Sequence, residues 1–261
     1  MGSRTVAALL LPLCVAAQED ASSLARCGTG EVVGVIVRVG EYNPAGLAWL
    51  KGGASVLSTV PFVFGIDGLH RSGALLAQRL VDAGIAISGD LLVAGSSRRV
   101  SGRTSIGFRF DEEIGVGAEL RLARWIFPRY SAVSELSLGA GLMIRSGPAT
   151  SGSLLRMRVQ QGRQVRWRDL SFGVGCAVTA TENLEFNLEC MQEPVVPLTI
   201  RYSMAYVPIH EVSLVVSWSD DPGSIGAGVG CTVSAWSALF GAQWHPELGW
   251  TQALDLRLSW E

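Results

Sequence analysis

The side chains best suited to chemistry in this sequence are few and badly placed for it. The histidines are His70, His210 and His245, and the densest acid–base group is His210-Glu211 followed by Asp220 and Asp221. Such a set could activate water if it converged. The residues between them alternate as a strand, and at about 3.3 Å per residue that strand would hold His210 and the aspartates about 30 Å apart. No GxSxG, HExxH or phosphate-cradling loop occurs. Cys14, Cys27, Cys176, Cys190 and Cys231 show no CxxC and no metal-ligand spacing. Cys176, Cys190 and Cys231 fall on apolar strand faces, where cysteine acts as a small hydrophobe. The sequence points away from catalysis, and toward neither a cofactor nor a metal.

The remaining charges follow a period of two. Glu119, Arg121, Glu135, Arg145, Glu185, Glu189, Arg201, Asp255 and Arg257 all alternate with large apolar residues. In a barrel they would project into the lumen, pairing with one another, lining a polar path or holding a plug. Their mixed signs argue against a strongly ion-selective pore. Arg98, Arg99 and Arg103 read as a solvated polar loop over 94–103. With Lys51 the only lysine and a net charge of −2, the chain carries no nucleic-acid footprint.

The elements behind these residues are strands. Hydrophobic residues make up 48% and charged residues 17%, against about 25% charged in ordinary soluble domains. Mean hydropathy is +0.32. No run of about 20 apolar residues follows the N-terminus, so spanning helices are excluded, and a closed β-barrel is the other structure that satisfies its backbone in lipid. In "SELSLGAGLMIR", Leu136, Leu138, Ala140, Leu142 and Ile144 oppose Glu135, Ser137, Gly139, Gly141 and Arg145. "NLEFNLEC", "PLTIRYSMAY" and "ALDLRLSWE" repeat the pattern. The polar faces are rich in glycine, which suits a crowded lumen.

The expected fold is all-β: a transmembrane antiparallel up-and-down barrel. Its strands fall at 52–64, 72–80, 83–94, 103–110, 113–125, 132–145, 153–160, 165–178, 183–191, 196–206, 210–219, 223–234, 235–245 and 249–260. That makes fourteen, with twelve as the alternative. An even count puts both termini in the periplasm, with short turns at 111–113, 179–183 and 207–210, while the loop at 146–152 is long for its side. Trp125, Trp218, Trp244, Trp250 and Trp260 lie near strand ends, where aromatic rings anchor at headgroup depth. Residues 1–17 read as a signal peptide: Arg4, an apolar core, then Val15-Ala16-Ala17. Residues 18–51 would form a hatch and 52–261 the barrel.

Within the hatch, "YNPAGLA" places Asn43 as a cap before Pro44, followed by Ala45, Gly46, Leu47 and Ala48. This stretch resembles the Asn-Pro-Ala motif of PorV-like and FadL-like outer-membrane proteins. "HPELGWTQALDLRLSW" and "TSIGFRFDEEIGVGAELRLARW" fit the same template. The resemblance implies a monomeric barrel in outer-membrane lipid, partly plugged by its N-terminal segment. It also implies either passage of hydrophobic small molecules or a shuttle and scaffold role with type IX secretion-system subunits. Solute passage predicts a lateral gap and an apolar pocket beside the plug; a secretion role predicts a closed wall. The chain is shorter than typical members and ends in Glu261, one place beyond the aromatic Trp260. The rival reading is a soluble, exported β-barrel that binds an apolar ligand inside.

Overall fold

A computed structural model describes residues 31–33, 42–128, 130–161, 166–194, 196–221 and 223–261. The signal-peptide reading at 1–17 and the hatch residues 18–30 and 34–41 lie outside the described residues. After a 3₁₀ turn at Pro44–Trp49 the chain runs through fourteen strands. They are β1 (Gly53–Phe62), β2 (Leu69–Arg79), β3 (Ala83–Ala94), β4 (Ser97–Arg109), β5 (Ile114–Phe127), β6 (Tyr130–Ser146) and β7 (Ala149–Gln161). They continue as β8 (Arg166–Thr181), β9 (Leu184–Gln192), β10 (Thr199–Ile209), β11 (Val212–Ser219), β12 (Ile225–Val233), β13 (Trp236–His245) and β14 (Gly249–Trp260).

Each strand pairs antiparallel with its sequence neighbours, and β1 pairs with β14 to close the barrel. Closure matters because an open edge in lipid would leave a row of backbone groups unsatisfied. The closing seam runs from Gly53 opposite Trp260 to Thr59 opposite Leu254. The four register irregularities involving bulges lie toward strand ends, at 59–62, 125–127, 179–181 and 206–209. Both barrel termini stand at one end, called here the inner end; the opposite rim is the outer end.

The alternation is borne out, and with it the fourteen strands. Leu57, Leu76, Ile87, Leu120, Leu122, Leu138, Leu170 and Leu256 face outward and are exposed, while Glu119, Arg121, Glu135 and Glu189 are buried inside. This is the reverse of a soluble barrel that holds an apolar ligand, and a belt of exposed leucines around a charged interior is stable only against lipid.

Three local expectations are corrected. The polar loop at 94–103 is strand: β3 turns into β4 over Gly95 and Ser96 alone, with Gly95 at φ +58°. A glycine at that position makes a tight hairpin turn possible. Arg99 and Arg103 thereby enter the lumen, where ion pairs replace the water they would have had in a loop. The loop at 146–152 likewise shrinks to the two-residue turn Gly147-Pro148, with Gly147 at φ +56°, which removes the difficulty of a long inner loop. Finally, β1 stops at Phe62 rather than continuing to 64: a second short 3₁₀ turn, Val63–Gly65, folds over the outer mouth, with Phe64 at φ +54°.

Candidate functional site

The site grows from one register row. Gly84, Gly107, Gly117 and Gly141 are successive partners on β3, β4, β5 and β6, and the row continues through Leu154 to Gly173. Glycine at adjacent lumen positions of four neighbouring strands leaves a shallow shelf in the wall. The Pro44–Trp49 turn lies on that shelf. A side chain at Gly107 would come within 2.5 Å of the Pro44 carbonyl oxygen, and one at Gly117 or Gly141 would overlap Ala45 or Asn43. Close backbone approach is what glycine permits here.

Asn43 fixes the turn to the wall. Its Nδ2 donates to the carbonyls of Val32 at 2.8 Å, Ser153 at 3.0 Å and Leu142 at 3.2 Å. Its Oδ1 accepts from the Ala45 amide at 3.0 Å, the bond expected of a capping residue. Pro44, Ala45, Gly46 and Leu47 are buried, and Ala48 is half-buried. Trp49 packs over the Arg145 guanidinium, 4.2 Å from ring centroid to Cζ.

A charged layer sits next to the shelf on its outer side. Arg156 Nε donates to Glu119 Oε1 at 2.6 Å, and its Nη2 donates to the Tyr42 carbonyl at 3.0 Å. Tyr42 donates its hydroxyl to Ser105 Oγ at 3.1 Å, and Arg103 lies 5.0 Å from its ring centroid. From the other side of the lumen, Glu189 accepts from the amides of Val32 and Val33 at 3.0 and 3.2 Å. Arg201 pairs with Glu31 at 3.1 Å, and Arg156 Nη1 stands 3.9 Å from the same carboxylate. Both described pieces of the N-terminal segment are therefore held to the wall by buried charge-assisted bonds, stronger than neutral ones.

Farther out, Arg71 and Arg121 flank Asp90 at 3.4 and 3.7 Å, and Ser101 donates to Asp90. Arg99 pairs with Glu135 at 3.3 Å; Arg158 and Gln160 also contact that carboxylate, at 3.7 and 3.1 Å. An apolar cluster lies at the outer end: Val60, Val63, Leu69, Leu92 and Ala253 pack with Phe64, Trp125 and Leu239. Phe64 donates its amide to Thr251 Oγ1 at 2.8 Å and meets His245 edge-on, with ring centroids 5.7 Å apart.

The expected lumen charges are all on the inner face of their strands, but they divide. Glu119, Arg121, Glu135, Glu189 and Arg201 join the networks just described, and Arg145 meets Trp49. Glu185 accepts from Asn187 Nδ2 at 2.9 Å, and Arg257 donates to Ser259 at 2.9 Å on the far wall near Asp255. Of the expected interface aromatics, Trp218, Trp244 and Trp250 face outward near the outer end, with Trp244 opposite Trp250. Trp260 does so at the inner end, donating to Gln78 Oε1 at 3.1 Å. Trp125 is the correction: it points into the mouth, 5.3 Å from the Arg99 Cζ and stacked on Phe127. Its position in β5 has the parity of Glu119 and Arg121, so strand alternation outranked the rule that places tryptophan at an interface. Sequence reasoning missed Glu31, Tyr42, Arg71, Asp90 and Arg156; of these, Asp90 and Arg156 lay at lumen parity within expected strands.

His210 pairs with Glu211 at 2.8 Å in the inner turn of β10 and β11, whereas Asp220 caps the opposite end of β11 by accepting from the Ile200 amide at 2.7 Å. Cys176, Cys190 and Cys231 are free thiols.

No family model matches the sequence. No curated protein matches it either. Solved structures do match in fold. The CymD monoaromatic hydrocarbon channel superposes with a TM-score of 0.67 at 10% identity, over 94% of this chain and 98% of that one. A Pseudomonas aeruginosa FadL homologue gives 0.62 at 8% identity, over 91% and 97%. The Pseudomonas putida toluene transporter TodX gives 0.61 at 10% identity, over 90% and 95%. At such identities the likeness is one of fold: this chain is a closed fourteen-stranded antiparallel β-barrel, similar in architecture to FadL-type channels.

Proposed function

We propose that this chain is a non-enzymatic barrel of the bacterial outer membrane that passes small hydrophobic molecules, with residues 18–51 acting as its hatch. The observation that carries the reading is the seating of the Asn-Pro-Ala-Gly turn on a glycine shelf inside a barrel of FadL-type architecture. A segment held by side-chain hydrogen bonds and ion pairs rather than by strand pairing, over a row of wall glycines, can leave and return without rebuilding the wall. The charged layers and the apolar cluster at the outer end stand in the path through the lumen beside the seated turn, so in this reading passage opens when the hatch moves. The barrel acts as a monomer, exported by the signal peptide at 1–17.

A second reading has its own support. The wall is paired without a lateral break along all fourteen strand pairs, as expected of a secretion-associated shuttle or scaffold of the PorV kind, whose outer rim would bind secretion subunits. One comparison separates the two. Purified protein in lipid vesicles is assayed for entry of a small aromatic hydrocarbon, and the same protein is isolated from its native membrane under mild detergent. Entry that rises when Asn43 is replaced by alanine supports the channel. Absence of entry in both forms, with secretion subunits co-purifying, replaces the channel by the scaffold.

A further inference from the structure

The outward face of the barrel changes character at one level. On β5, β6 and β7 the partners Leu122, Leu136 and Val159 form an apolar row. One step outward, the lipid-facing row is Arg124, Ser134 and Gln161. On β4 the same change runs from Val100, the partner of Arg124, to Arg98. On β8, Arg168 is the outward partner of Val159. Arg98, Arg124 and Arg168 are exposed, and none has an ion-pair partner among the described residues. Their heights agree. Arg98 lies eleven residues from Arg109 at the inner end of β4, Arg124 ten from Ile114 on β5, and Arg168 thirteen from Thr181 on β8. At about 3.3 Å per residue and a tilt near 40°, these are about 25 to 33 Å along the membrane normal. The guanidinium groups therefore emerge at the outer edge of an apolar band of about 25 Å.

The placement is one-sided. Of the acidic residues described in the loops of the same end, Glu193, Asp220, Asp221 and Glu247 sit between β9 and β14 and Asp67 between β1 and β2, and none is among the described residues of the outer turns from β3 to β8. Arg98 and Arg124 are diagonal neighbours on adjacent strands, about 7–8 Å apart at Cβ, close enough for one phosphate to bridge both forks. Arginine matches phosphate oxygens with two parallel donors. An unpaired guanidinium at the edge of hydrocarbon is stable when an anionic headgroup meets it.

We propose that Arg98, Arg124 and Arg168 form a docking surface for phosphate-bearing headgroups of outer-leaflet lipid, held on the β4–β8 half of the rim. The surface orients the barrel about its axis relative to bound lipid and depends on the bilayer-spanning reading, which heat-modifiable gel migration checks separately. The test uses the full-length protein folded in uncharged detergent micelles and titrated with diphosphorylated lipid A. The triple variant R98Q/R124Q/R168Q is compared with R79Q/R109Q, whose changes lie at the inner end. Lipid A binding falls at least about tenfold in the triple variant and is unchanged in the inner-end variant. Equal binding by a folded triple variant and wild type overturns the proposal. So does a loss confined to the inner-end variant, and so does equal affinity for a dephosphorylated lipid A. A triple variant that fails to show heat-modifiable migration is replaced by the R98Q/R124Q pair, to which the same criteria apply.

Discussion

The Asn43 carboxamide lies against the α-carbon of Gly141 on β6, with no space for a side chain between them. Two residues far apart in sequence thus form one fitting: a cap that also donates to the carbonyls of Leu142 and Ser153, and a wall position that must stay bare. The Pro44–Trp49 turn is held by its own capping residue.

Gly141→Val and Asn43→Ala should therefore unseat the Pro44–Trp49 turn and leave the barrel folded. Each hydrogen bond lost with Asn43 is worth about 1 kcal/mol, and the overlap at Gly141 costs about 1–3 kcal/mol. Limited proteolysis near residues 42–50 should accelerate in both variants, while heat-modifiable migration persists. Unchanged cleavage would show that the shelf does not hold the turn.

The Glu119–Arg156 contact at 2.6 Å joins the charged layer to the Tyr42 carbonyl. Glu119→Gln removes the nearest counter-charge of the buried Arg156, so it should destabilise the folded barrel by about 3 kcal/mol. Adding Arg156→Gln should cost clearly less than the sum of the two single changes. Urea unfolding in lipid vesicles measures the cycle, and strict additivity would mean that the two side chains are not coupled.

Depth on the lipid face should be readable by arginine substitution. Leu120 stands in the middle of β5, and Val100 borders the rim beside Arg124. Leu120→Arg should cost about 2–4 kcal/mol and Val100→Arg about 0–1 kcal/mol. Equal costs would remove the assignment of the bilayer boundary.

Ser234 opens the tight turn between β12 and β13 at φ +54°, where Gly95 and Gly147 hold the corresponding place in two other hairpins. A left-handed conformation costs an L-residue roughly 1 kcal/mol, so Ser234→Gly should stabilise the barrel by about 0.5–1 kcal/mol. A lower unfolding midpoint in urea would show that the turn is not strained.

How much of this was legible beforehand follows from where each constraint resides. Period-two alternation belongs to the chain itself, so the lumen charges from Glu119 to Arg257, the outward leucines and all fourteen strands could be read from it. The Asn43-Pro44 cap is equally local, because its chemistry spans three residues. Where the reading failed, two kinds of local evidence competed. Arg98-Arg99 with its neighbouring serines looked like a loop, yet Gly95 makes a two-residue turn and lumen carboxylates accept the arginines.

The sequence by itself determined which residues face in and which face out, since a strand leaves only those two directions. It also supplied glycines at lumen positions on several strands. Only the tertiary structure decided that Gly84, Gly107, Gly117 and Gly141 stand side by side, because strand register is a property of pairs and not of either strand. The same pairing set Arg156 against Glu119 and turned Trp125 over Arg99. The shelf that seats the Pro44–Trp49 turn exists only once neighbouring strands are aligned, and closing the barrel fixes that alignment.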